Sequence, residues 1–149
     1  MQLTKFTDLG LRVLMYVSQH DRESLITISE IATQFNIPRN HLIKVVTFLN
    51  KTSWIQTTRG PSGGLRLGTD PASLRLGHVI RTLEGSESLV NCQEPPCPLA
   101  GMCGLKSALD FGLNAFYEHM DQYTLADVTQ ARTAQVILQL QQQHLSISH

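Results

Sequence analysis

The sequence predicts a mainly α protein: a winged helix-turn-helix domain with a short β-hairpin wing, then an irregular loop, then a long helix. Three observations carry this reading. Two short amphipathic segments follow one another across the tight turn at Asn36, Ile37 and Pro38, the pattern of a helix-turn-helix. Directly after them, Trp54 to Arg59 has the β-branched and aromatic content of a strand, and Leu65-Arg66-Leu67 can return beside it after the turn Gly60-Pro61-Ser62-Gly63-Gly64; a hairpin in that place is a wing. Further on, Leu105 to Tyr123 keeps an apolar stripe at helical spacing.

Each element has its own signals. Residues 4–20 read as a first helix that Thr4 or Thr7 can cap, with Phe6, Leu9, Val13, Tyr16 and Val17 at helical spacing. Leu11, Leu14 and Met15 make it apolar on further sides, so deep burial is expected. Thr27 followed by Glu30 is a capping-box pattern, and Ile28, Ile31, Ala32 and Phe35 then share one face. Asn36 suits a left-handed helix exit, and Pro38 suits the first turn of the next helix, where its missing N–H is not needed. That third helix, about Pro38 to Lys51, turns Leu42, Val45, Val46 and Leu49 inward. After the wing, Ser73 is expected to cap a fourth helix with Leu76, Val79, Ile80 and Leu83 inward and Gly85 at its end. In the long helix the stripe is Leu105, Leu109, Gly112, Leu113, Phe116 and Met120, and a short helix starts at Thr124. The tail from about Ala131, with its glutamine run, can start as a helix but is expected to add little core and to fray.

The chain has 149 residues, 42% of them apolar and 16% charged, which fits one compact domain or one domain with an appendage. No apolar run approaches the roughly 20 residues a membrane helix needs, and the N-terminus lacks the pattern of a secretory signal. A cytoplasmic protein with no membrane association is expected. The net charge of zero hides an asymmetry: residues 1–82 hold ten Lys/Arg and five Asp/Glu, a net of +5, while residues 83–149 hold two and seven, a net of −5. Between Ile31 and Thr69 there is no acid, but there are Arg39, Lys44, Lys51, Arg59 and Arg66. Such a stretch is the electrostatic footprint of a phosphate-backbone binder.

Double-stranded DNA is therefore the expected partner. The first turn of a helix laid in the major groove meets base edges, and here that turn carries Arg39, Asn40 and His41. Arg can bond guanine bidentately and Asn can bond adenine. His41 taken singly is more often a surface polar group. Lys44 and Lys51 would contact phosphates, which position the protein without specifying sequence. At the wing tip Arg59 can enter the minor groove, while Gly60, Ser62, Gly63 and Gly64 let the backbone come close to phosphates.

Cys92, Cys97 and Cys103 are the only cysteines, and they fall within twelve residues of one another in a loop whose prolines and glycine exclude a regular helix. Three cysteines cannot all pair within one chain, and cytoplasmic thiols stay reduced, so metal binding or redox sensing is favoured over a disulfide framework. The spacing Cys-x4-Cys-x5-Cys is wider than the usual pairing in structural zinc sites, and it can wrap a larger object such as an iron–sulfur cluster. Three thiolates leave one position for another ligand. Glu84, Glu87 and Glu94 lie near the loop, and Asp8 on the first helix is a further candidate whose plain alternative is an i,i+4 ion pair with Arg12. The residues alone do not choose among them.

Several segments are together characteristic: Phe6-Thr7-Asp8-Leu9-Gly10-Leu11-Arg12, Arg39-Asn40-His41, Gly63-Gly64-Leu65-Arg66-Leu67-Gly68, Leu89-Val90-Asn91-Cys92 with the two later cysteines, and Tyr123-Thr124-Leu125-Ala126-Asp127. In these segments the chain resembles the family of iron–sulfur winged-helix regulators, and within it the nitric-oxide-sensitive repressors, from Met1 to about Val128. The resemblance implies a homodimer paired through the long helix. It also implies a cluster held by Cys92, Cys97 and Cys103 with Asp8 of the partner subunit as fourth ligand, and repression of nitric-oxide-detoxifying genes that nitric oxide relieves. Another branch of the family places a histidine ligand just after the third cysteine. Here Cys103 is followed by Gly104, Leu105 and Lys106, which disfavours that site; a 4Fe–4S cluster is favoured over 2Fe–2S.

On this reading residues 1–85 form the DNA-binding domain, 86–104 the cluster loop, 105–130 the dimerisation helix and a short helix, and 131–149 a poorly defined tail. Iron supply or oxidative stress as the signal, or a structural metal on a winged-helix DNA binder, are the alternatives. No catalytic arrangement, phosphate loop or cofactor fingerprint points to an enzyme.

Overall fold

The computed structural model describes residues 1–147 of the 149. Helix α1, Lys5–Ser18, is capped by Thr4, whose side chain accepts from the N–H of Thr7. The Thr4 N–H and hydroxyl both donate to Glu84 Oε1, at 2.8 and 3.0 Å. A residue eighty positions away thus fixes the start of α1 and ties it to the end of α4 (Leu76–Glu84). Leu9, Val13, Leu14, Tyr16 and Val17 are all buried, so α1 is the central helix, as its apolar sides require.

Helix α2, Ile28–Phe35, starts at Thr27, which accepts from the N–H of Glu30 at 3.1 Å, and leaves through Asn36 at φ 51°. The expected capping box is only half formed. Glu30 turns inward instead, accepting from the Tyr16 hydroxyl at 2.8 Å and pairing with Arg22. Glu30 is 2% exposed, and a buried carboxylate requires such partners. Burial, aided by this hydrogen bond, raises the Tyr16 pKa well above the ordinary tyrosine range. Helix α3, Arg39–Lys51, follows Pro38 and buries Leu42, Val45, Val46 and Leu49 against α1 and α2.

Strands β1, Ile55–Thr58, and β2, Gly64–Leu67, pair antiparallel from Ile55 with Leu67 to Thr58 with Gly64. Ile26, in the loop before α2, adds a bridge to this ribbon by accepting from the N–H of Leu65 at 2.7 Å. A Cβ at Gly64 would lie 2.5 Å from the Ile26 carbonyl oxygen, and one at Gly63 would lie 2.2 Å from that of Thr58. These two glycines are required by the wing's own packing.

Ser73 does not cap the fourth helix. It ends a short 3-10 turn, Pro71–Ser73, capped by Asp70, and α4 begins later, with Arg75 at its N-cap position. Its early N–H at His78 is taken by Asp121 Oδ1 at 2.7 Å, a cap supplied from the far end of helix α5, Gly104–Met120. Gly85 leaves α4 at φ 64°, as expected.

The stripe expected along α5 divides. Leu113 and Tyr117 are buried and pack with Ile80, with Phe116 and Met120 beside them, while Leu105 is 69% exposed. Phe111, outside the expected stripe, is 75% exposed. Thr124 and Asp127 complete a capping box on helix α6, Leu125–Val128. The tail departs most from expectation: Ala131–Ile147 is a helix, α7, with Ile137 and Gln141 buried. Gln141 Nε2 donates to the carbonyls of Tyr16 and Gln19 at 3.0 and 2.6 Å, satisfying acceptors at the end of α1. The last two residues of the tail lie outside the described residues.

Candidate functional site

Two regions carry the expected site residues. In the first, α3 presents Arg39, Asn40, His41, Lys44 and Lys51 on its exposed side, opposite the four buried aliphatics. Arg39 Nε donates to Ser29 Oγ at 3.2 Å, a bond that steadies the long side chain across the α2–α3 turn. The wing tip carries Arg59, Gly60 and Ser62, all exposed, and the N–H of Gly63 donates to the Gly60 carbonyl at 2.9 Å to close the turn. Gly60 stands at φ 105° with open space around its Cα, so it alone of the three wing glycines has room on that side for an approaching phosphate. Gly63 and Gly64 are half-buried, with that side filled by the protein backbone.

Lys5 carries no sequence signal that marks it for this face. It lines one shallow cavity with His41 and Lys44 and so adds a cation to the face of α3. It lies outside the acid-free run, and only the packing of α1 across α3 brings it there. Arg66, on β2, is held by Gln56 at 3.0 Å across the ribbon.

The second region is the loop from Gly85 to Cys103. No residue between Leu83 and Leu113 is buried. Short turns hold the loop: Asn91 Oδ1 accepts from the N–H of Gln93 and Glu94 at 2.9 and 3.3 Å. The N–H of Cys97 donates to the Cys92 carbonyl, and that of Ala100 to the Cys97 carbonyl, both at 3.0 Å. Cys92, Cys97 and Cys103 are all free thiols of intermediate burial. Cys103 occupies the N-cap position of α5, and its carbonyl accepts from the N–H of Ser107.

A bracing pair stands beside them. Lys106 Nζ bonds Asp110 Oδ2, one turn on, and the other Asp110 oxygen accepts from the Ser88 hydroxyl at 3.2 Å. The hydrogen bond to Asp110 raises the Lys106 pKa, with smaller contributions from Cys92 and Cys103, and the same bond lowers that of Asp110. The i,i+4 spacing of Lys106 and Asp110 was visible in the sequence; their place beside the cysteines was not.

Three soft sulfur donors beside a lasting ammonium suit a thiolate-ligated centre of negative charge in donor type and in electrostatics. The loop does not gather them around a point: among the described residues no three His, Cys, Asp or Glu side chains stand close enough together to hold a metal ion. The candidate fourth ligands are separately placed. Glu84 is engaged by Thr4, and Asp8 pairs with Arg12 at 2.9 Å with both side chains about half exposed. Glu87 and Glu94 are exposed.

Comparison with known proteins agrees with the fold and places the chain. The HTH-type transcriptional regulator NsrR of Bacillus licheniformis is 40% identical over 131 residues, which are 86% of this chain and 92% of that protein. CymR (YrzC), the global cysteine regulator of B. subtilis, superposes with a TM-score of 0.69 at 25% identity, covering 87% of this chain and 96% of its own. T. potens IscR shares the fold, with a TM-score of 0.68 at 23% identity over 86% of this chain and 85% of its own. No helix is long and apolar enough among the described residues to cross a membrane. Residues 3–131 match the model of Rrf2, described as an iron-dependent transcriptional regulator, and the chain belongs to that family of transcriptional regulators.

Proposed function

We propose that this protein is a homodimeric repressor whose hold on double-stranded DNA depends on an iron–sulfur cluster and is released by nitric oxide. The observation that carries the reading is the confinement of all three cysteines to a loop without a core, between the helix that packs on the winged domain and the helix that leaves apolar side chains in solvent. The 40% identity to an NsrR supports the choice of signal.

Cys92, Cys97 and Cys103 would hold the group, with Asp8 of the partner subunit completing the set, and 4Fe–4S is favoured over 2Fe–2S. When bound, the cluster supplies iron that is open to a diatomic ligand at the one position without a thiolate. The chain's own residues do the rest. Lys106, fixed by Asp110, places positive charge beside Cys92 and Cys103. Leu105, Ala108, Phe111, Gly112 and Ala115 recur on the solvent side of α5, an apolar seam fit to pair with its twin. Arg39, Asn40 and His41 would read bases while Lys44, Lys51, Arg59, Gly60 and Ser62 hold the backbone. Regulation requires only that the loaded dimer bind DNA more tightly than the unloaded one.

The family's iron-dependence favours a second reading, in which the same loop reports iron supply. Operator binding of anaerobically loaded protein separates the two. Release by stoichiometric nitric oxide, without prior iron depletion, is the expected result. Insensitivity to nitric oxide with release by a chelator selects the second reading. Binding indifferent to both contradicts each.

A further inference from the structure

All of helix α7 after its first residue lies beyond the residues matched by the family model, which end at 131. It packs on α1 and α2 and leaves a cavity of about 380 Å³ between them. Met15, Tyr16, Phe35, Val136, Ile137 and Leu140 form its walls. That volume lies in the range of small-molecule sites, which are mostly apolar with a few placed polar groups.

The charged groups here are of one sign, beside the neutral Thr133 and Tyr16. Arg12 and Arg132 both line the cavity. Arg12 is already satisfied, bonded to Asp8 at 2.9 Å and lying 5.9 Å over the Phe35 ring. Arg132 makes no ion pair among the described residues. Arg132 is exposed, so an apolar cleft with one free guanidinium among its lining residues suits a ligand with an apolar body and a single negative head, because a carboxylate matches guanidinium geometry bidentately.

We infer that the α1–α2–α7 cavity binds a small hydrophobic monocarboxylate, with the apolar part against Phe35, Ile137 and Leu140 and the carboxylate at Arg132. No residue of the cysteine loop lines this cavity. Phe35 belongs to the first helix of the helix-turn-helix, so an occupant would touch the element that supports α3.

The test uses the full chain and decanoate below its micelle concentration, with 1-decanol as the uncharged counterpart, followed by calorimetry and by amide shifts of Phe35 and Val136. Decanoate is expected to bind saturably and about tenfold more tightly than decanol, the scale of a charge-assisted hydrogen bond. Val136→Trp adds bulk at a side chain that is 50% exposed, so it can obstruct the cavity without repacking the core; it should abolish binding while thermal melting is retained. Arg132→Gln should bring decanoate to the level of decanol. Absence of saturable binding, or binding that survives Val136→Trp, would overturn the site. Equal affinity for decanoate and decanol in the wild type would overturn the carboxylate assignment.

Discussion

The winged domain and the cysteine loop are built on opposite principles. In the first, α1, α3 and the wing share one core: Val13, Leu49 and Ile55 are fully buried, and even the polar Glu30 is enclosed with its partners. In the second, no side chain from Glu84 to Gly112 is buried, and the chain is held by turns, the side chains of Ser86, Ser88 and Asn91, and the Ser88–Asp110–Lys106 brace. A region fixed by burial presents a constant surface, which a DNA reader needs. A region fixed by few local bonds can change shape at low cost, which the proposed sensing role needs.

Breaking the first region should cost most. Leu49→Ala removes a side chain with no exposed surface and is expected to destabilise the fold by about 2–5 kcal/mol in chemical denaturation. Gly64→Ala forces a methyl toward the Ile26 carbonyl at 2.5 Å. It should cost about 1–3 kcal/mol and loosen the wing, seen as faster amide exchange at Leu65. Thr124→Ala deletes one half of the α6 capping box and should cost about 1 kcal/mol. Backbone and side-chain hydrogen bonds from Thr124 lower the pKa of Asp127. Its contribution is therefore present above the unfolded carboxylate value of 3.8 and lost as pH falls through the lower folded value; in Thr124→Ala the acid side of the stability profile should flatten in part, because the backbone hydrogen bond remains. The smallest effect on folding belongs to the loop. Replacing Cys92, Cys97 and Cys103 together by Ser should leave denaturation of the metal-free protein unchanged within about 0.5 kcal/mol. A larger loss would mean that the sulfurs help to hold the fold.

The same contrast explains what could be read from the sequence. The helices of the reading domain announced themselves because periodicity, caps and breakers agree there: Thr27, Asn36, Pro38 and Gly85 each mark the boundary they should. Glu30 did not, because a capping partner and a buried ion-pair partner look alike until Tyr16 and Arg22 are seen around it. Ser73 yielded to Asp121, whose carboxylate caps the N–H of His78 from forty-three positions away, which no local pattern encodes. The tail was misjudged because Gln141 reads as solvent-facing, whereas its amide closes the end of α1. Of the candidate sites, the exposed face of α3 followed from helical spacing alone. The roles of Gly63 and Gly64 could not, since room for a phosphate and room for the protein's own carbonyls require the same residue. The cysteines were conspicuous as a cluster in sequence, yet sequence proximity does not fix sulfur geometry in a loop without a core.

The most direct test of the central claim is the iron, acid-labile sulfide and zinc content per subunit of anaerobically purified protein, measured beside the triple Cys→Ser variant. The account predicts iron and sulfide in equal amounts, near four of each for the favoured cluster, and neither in the variant. Zinc without sulfide, or iron retained by the variant, would contradict it.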